Sequence, residues 1–170
     1  MSSSLLLLLL LSQQRQQHPL QSQVFVPQKE SEAPVQPIPY SHKLHLSKGL
    51  QCKNCHTNPD PGEVMGIPKV SVCMGCHRTV KTDSPHIQTL AKVAADKQEI
   101  RWKRVYQTPS FVFFSHRVHT DAGSTCENCH GPVSERNVIF KEGDITMGGC
   151  MTCHQQKKAP NDCNTCHEPR

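Results

Sequence analysis

The chain has little from which to build an ordinary core. Only 35% of its 170 residues are hydrophobic and 5% aromatic, with a single Trp and two Tyr. A polypeptide of this length and composition cannot bury enough apolar surface to be stable on its side chains alone. No long apolar run is present. The longest is Leu5 to Leu11, seven leucines behind Met1-Ser2-Ser3-Ser4, too short to span a bilayer and with no Lys or Arg before it. It is expected to be a truncated or atypical signal or anchor, and the alternative is a disordered tail. The formal charge is +5, yet no dense basic run occurs beyond Lys157–Lys158, so nucleic-acid binding has no support. No cysteine is left over for a disulfide, because all ten belong to one repeated motif.

That motif is C-x-x-C-H, at Cys52–His56, Cys73–His77, Cys126–His130, Cys150–His154 and Cys163–His167. Ten Cys and eleven His scattered at random would give about 0.04 copies. Two larger blocks contain it. Tyr40 to His56 reads YSHKLHLSKGLQCKNCH, and Phe114 to His130 reads FSHRVHTDAGSTCENCH, each position shifted by 74. The next motif recurs at a shift of 77, from Cys73 to Cys150, so the halves are two-site modules with three extra residues in the second.

C-x-x-C-H is the attachment signature of c-type haem. Cys52, Cys55, Cys73, Cys76, Cys126, Cys129, Cys150, Cys153, Cys163 and Cys166 are the expected thioether positions. His56, His77, His130, His154 and His167 then bind iron from the proximal side. A thioredoxin-like motif needs one copy on a βαβ scaffold, which is not seen here. Zinc sites pair two C-x-x-C elements, so five copies would leave one unpaired, and zinc does not need a His after each second Cys. Five covalent haems would supply the missing core, with the polypeptide as a wrapper. The expected fold is mostly irregular and α, with few short helices and minimal strand, consistent with 13 Pro and 9 Gly. Each ferric haem with ionised propionates adds about −1, bringing the holoprotein near neutrality. Haem attachment of this kind takes place outside the cytoplasm, so a periplasmic or outer-face location is expected.

Full six-coordination of five irons needs five distal ligands. His42 and His45, and their repeats His116 and His119, lie three residues apart, so on a helical turn each pair projects from nearly one face. One iron cannot easily take both, whereas two adjacent irons take one each. The fifth distal ligand is open between His86 and Met147, with Met65 weaker, and a thioether there would raise the potential. A supply of distal ligands for every iron favours electron transfer over catalysis at an open iron.

Ser12 to Pro39, rich in Gln, Ser and Pro, reads as a disordered or extended tether, and its His18 is not expected to be a ligand. Together with the leucine run it forms an N-terminal unit, 1–39, ahead of a haem domain, 40–170, made of repeats 40–77 and 114–154 and a fifth site at 163–167. Asn58 to Pro68 is a turn-rich loop. Ser84-Pro85 starts a helix ending near Glu99, with Ile87, Leu90, Ala91 and Ala94 on its apolar stripe. Arg101 to Tyr106 and Ser110 to Phe114 read as extended, Asn137 to Ile145 as strand-like, and Trp102 as packing. The 13 residues from Cys150 to Cys163 make the fourth and fifth sites close neighbours.

The aromatic-x-H-x-x-H element followed by C-x-x-C-H resembles the class III, cytochrome c3/c7-like multihaem family. A closer resemblance covers nearly all of Pro39 to His167, through PYSHKLH, the Gly-Ile-Pro loop before VCMGCH, SPHIQTL, WKRVYQTPSFVFFSHRVH, CENCHG and ITMGGCMTCH. It is to the pentahaem subunit of alternative complex III, the bacterial quinol:electron-acceptor oxidoreductase. The resemblance implies electron passage from quinol oxidation towards a periplasmic carrier or terminal oxidase. It also implies partners among membrane oxidoreductase subunits or periplasmic redox proteins, and Met147 as a plausible exception to bis-His ligation. That subunit usually carries an N-terminal transmembrane helix, where this chain offers only Leu5 to Leu11, and position 86 is commonly acidic there but His here. The readings carried forward are a complex subunit, a free-standing carrier, a catalytic multihaem reductase of small oxyanions or metal ions, and a conductive component of an extracellular haem assembly.

Overall fold

Three hydrophobic side chains are all that the polypeptide buries among its described residues: Ile38, Val70 and Leu90. The computed structural model describes residues 24–57 and 65–168. The leucine run, His18 and the 58–64 part of the turn-rich loop lie outside the described residues.

Eight short α-helices and two 3-10 turns connect through irregular chain, with no strand among the described residues. In order they are α1 (His42–Leu46), α2 (Cys52–Cys55), α3 (Val70–His77), α4 (Pro85–Ala95), α5 (His116–Asp121), α6 (Glu127–His130), α7 (Met147–Lys157) and α8 (Cys163–His167). The 3-10 turns are Glu30–Glu32 and Val133–Glu135. The helices are short because each is a motif rather than a scaffold. Every C-x-x-C pair lies on or at the edge of a helical turn, where residues three apart share a face.

α4 begins where Ser84 and Pro85 place it and stops at Ala95, four residues short of Glu99. Glu99 instead turns back, and its carboxylate accepts the Val70 N–H at 2.7 Å, closing the otherwise open N-terminus of α3. Leu90, 5% exposed, packs α4 against α3 with Met74, Ile87 and Trp102 around it, so the packing role expected of Trp102 holds. The helix on which the second C-x-x-C-H stands is thereby fixed. Leu90→Ala is expected to cost about 2–5 kcal/mol, read as a lowered unfolding midpoint of the holoprotein, because so small a cluster cannot repack around the loss.

The strand-like stretch Asn137 to Ile145 forms no ladder; alternation there does not create a strand without a neighbour to pair with. Isolated bonds hold it. The Gln28 backbone N–H donates to the Lys141 carbonyl at 2.8 Å, while the Gln28 side-chain carbonyl accepts from the Lys141 N–H at 3.0 Å. Gln36 clamps the backbone of Lys103 in the same style, through both ends of its amide at 2.9 Å. The segment from residue 24 to 39, irregular but for the 3-10 turn Glu30–Glu32, is therefore pinned to the body through Gln28 and Gln36, and it gives Ile38 to the core.

Candidate functional site

The repeated block explains itself once folded. Ser41 and Ser115 cap α1 and α5, their hydroxyls accepting from Leu44 N–H at 3.0 Å and Val118 N–H at 3.4 Å. Their backbone carbonyls each accept Nδ1–H of the second histidine, His45 and His119, at 2.8 Å. The preceding aromatic steadies both imidazoles. Tyr40 stacks on His45 at 4.4 Å and meets His42 edge-on at 4.8 Å, and Phe114 repeats this on His119 at 4.5 Å and His116 at 4.8 Å. Burial, with the thiols of Cys55 and Cys73 close by, pushes the Tyr40 hydroxyl up to about 12.

Each of the four histidines faces a different C-x-x-C-H histidine. His42 faces His56 at 6.5 Å between ring centroids, with planes 3° apart, and His116 faces His130 at 6.4 Å and 5°. His45 faces His77 at 6.2 Å, and His119 faces His154 at 5.9 Å. Those separations are too wide for stacking contact. They match two imidazoles on one iron, which axial bonds of about 2 Å place with centroids about 6 Å apart. The first histidine of each pair thus faces the motif of its own block, and the second faces the next motif.

The tautomers fit as well. A carbonyl only accepts, so an Nδ1 bonded to one carries the proton and leaves the Nε2 lone pair for a metal. Among the proximal residues, His56 donates to the Gly66 carbonyl at 2.7 Å, His77 to Val80 at 3.0 Å, His154 to Pro160 at 2.6 Å and His167 to Phe111 at 3.1 Å. Burial, then His56 and His45, pushes His42 down to about 4, so it is a neutral imidazole, the form that binds metal. Burial, then His116 and His56, likewise lowers His130. The His42 Nδ1 is a buried polar atom without a hydrogen-bond partner.

No three His, Cys, Asp or Glu side chains converge as a metal cluster among the described residues. None of the ten cysteines is joined to another in a disulfide. Their mutual influence shows which motifs adjoin. After burial, Cys55 is raised by Cys52 and Cys76, and Cys126 by Cys52. Cys129 is raised by burial and Cys153, and Cys150 by burial, Cys129 and Cys166. The second motif thus adjoins the first, the first the third, the third the fourth, and the fourth the fifth. The fourth and fifth are neighbours, in line with their short separation.

Candidates for the remaining distal position lie apart. His86 is exposed on α4, which packs on the helix of the second motif. Met147 is 67% exposed as the first residue of α7, the helix of the fourth motif. Met65 is half-buried beside Gly66. Sequence reasoning passed over Ser41, Ser115 and Tyr106. The two serines carried a signal, since both blocks share aromatic-Ser-His; Tyr106 carried none.

Repeated C-x-x-C-H turns facing paired imidazoles define a multihaem c-type cytochrome, with haem bound covalently through the cysteines. The comparisons agree. The family described as Cytochrome c3 matches residues 44–131, and that described as Cytochrome c7 and related cytochrome c matches residues 112–168. A curated relative from Nitratidesulfovibrio vulgaris, the Menaquinone reductase, multiheme cytochrome c subunit, is 33% identical over 161 residues, covering 78% of this chain and 77% of its own. The chain belongs to the cytochrome c3/c7-like multihaem cytochrome family, whose members transfer electrons.

Proposed function

We propose that the chain binds five haems c and passes electrons along them on the periplasmic side of a membrane, as a subunit of a quinone-linked oxidoreductase complex. The observation that carries this reading is that four C-x-x-C-H histidines each face a second imidazole, while the cysteines of adjoining motifs lie near one another in pairs that fit a row running second, first, third, fourth, fifth. Haem supplies one-electron storage at each position. The polypeptide spaces the positions, would hold His45, His56, His77, His119, His154 and His167 in the metal-binding tautomer through their Nδ1–H bonds, and sets each local environment. In this reading His42 pairs with His56, His45 with His77, His116 with His130 and His119 with His154.

Met147 is the fifth distal ligand in this assignment. It stands on the helix of the fourth motif, next to the fifth, whereas His86 rides on α4 at the second-motif end of the row. The complex-subunit reading is supported by the relative, which is named as a menaquinone reductase subunit, and by the resemblance to the pentahaem subunit of alternative complex III. No helix among the described residues is long and apolar enough to cross a membrane.

A catalytic reductase is the second reading, favoured by one observation: a fifth site supplied by an exposed Met147 has the weakest distal ligand. Carbon monoxide added to the reduced holoprotein separates the two. Electron transfer alone requires no appreciable binding at any haem. Ready binding at one haem would contradict it and point to an open, substrate-accessible iron.

A further inference from the structure

Four of the five C-x-x-C-H histidines donate Nδ1–H to a backbone carbonyl, and His130 is the exception among the described residues. In the first module the acceptor for His56 is Gly66. By the 74-residue shift Gly66 corresponds to Phe140, and by the 77-residue shift to Gly143. Tyr106 bonds both. Its hydroxyl donates to the Phe140 carbonyl at 3.3 Å, sharing that proton with the His130 carbonyl at 3.1 Å. It accepts from Gly143 N–H at 3.0 Å and Glu142 N–H at 2.8 Å. One phenol oxygen thus uses its whole capacity, one donor and two lone pairs, on four backbone groups.

The loop so held presses on the third motif. A Cβ at Gly143 would overlap the Cys129 carbonyl, so only glycine permits the approach. Glu142 is anchored from outside by Arg136, through two bonds of 2.8 Å that hold its carboxyl below the usual range. The Tyr106 ring stands edge-on against the His130 imidazole at 4.6 Å. The 74-residue counterpart of Tyr106 is position 32, Glu32 in a 3-10 turn ahead of the first module, and among the described residues no phenol takes this role there.

We propose that Tyr106 is a positioning residue for the third haem. It takes over the loop contact that the proximal imidazole makes in the first site and holds His130 by ring packing instead. The otherwise matching first and third sites are thereby made electronically unequal, which rests on the ligand assignment above. An imidazole whose Nδ1–H donates to a carbonyl is the more basic ligand and favours ferric iron. Without that bond, the third haem has the higher potential of the central pair, so an electron arriving there is held more tightly than at the first.

The test is Tyr106→Phe in the full-length holoprotein. The expected result is an unchanged haem count by mass and one haem whose reduction equilibrium falls roughly tenfold, or ~59 mV for one electron, as the Phe140 carbonyl becomes free to accept from His130. The other four are expected to stay put, and one low-spin resonance to change. Five unmoved potentials with only a lower unfolding midpoint would make Tyr106 structural and overturn the proposal. If the variant does not mature, the native protein decides. The His130 Nδ1 proton is expected to exchange with deuterium faster than that of His56, and equal protection would overturn the proposal. His130→Met separates the two layers: if it leaves every haem's ligand spectrum unaltered, the ligand assignment has failed rather than the role of Tyr106.

Discussion

Replacing both Cys126 and Cys129 with alanine is expected to remove one haem and to slow electron passage between the ends of the molecule by orders of magnitude. The reason is position. The third motif lies between the first and the fourth, with Cys52 on one side of Cys126 and Cys153 beside Cys129. In the proposed row no other haem stands between the first and the fourth. The same double substitution at Cys163 and Cys166 removes one haem as well, but from an end, and leaves passage through the other four intact. Stopped-flow reduction by a small donor, followed by transfer to an acceptor, distinguishes the variants. Equal losses for the middle and end variants would contradict a linear row and favour a branched cluster. The middle variant should also lose stability, because His116, Phe114 and the loop held by Tyr106 all pack around that site.

The second large effect concerns which haem each distal histidine serves. His119→Met is expected to keep all five haems and to raise the potential of the fourth by on the order of 100 mV, since thioether replaces imidazole opposite His154. His119 is nearer in sequence to the third motif than to the fourth, so a reader of the sequence would assign the effect to the third. The variant made in the Cys126/Cys129 background settles the matter, because the third haem is then absent. The upward shift should persist there. Its disappearance would mean that His119 serves its own block and that the pairing is wrong.

The chemistry was legible because haem attachment demands contiguous residues. The five motifs, the paired histidines and the start of α4 at Ser84-Pro85 are all local patterns, and the 74-residue repeat made them mutually reinforcing. Pairing across sites was not legible. It depends on where an eight-residue helix such as α3 lands relative to α1, and α3 is placed by Leu90, Val70 and the Glu99 cap rather than by its motif. The strand-like reading of Asn137 to Ile145 did not become strand because alternation reports a two-faced segment, while strand needs a partner backbone. What organises that segment is a single hydroxyl 31 or more residues away, at Tyr106, together with Gln28 from the N-terminal segment. Neither bond leaves a periodic trace. The segment from residue 24 to 39 was read from its polarity, yet two of its polar side chains, Gln28 and Gln36, are what fasten it.

The central claim is that five covalent haems form the interior of this chain. Intact mass of the purified native protein, measured under denaturing conditions, tests it most directly. Thioether-linked haem survives denaturation, and each adds roughly 0.6 kDa to the polypeptide. The account requires a mass equal to a polypeptide of this sequence, whole or processed at its N-terminus, plus five such increments, about 3 kDa in all. Fewer increments would break the row at a site that digestion and peptide mass can name. A mass with none would return the ten cysteines to thiols and contradict the account outright.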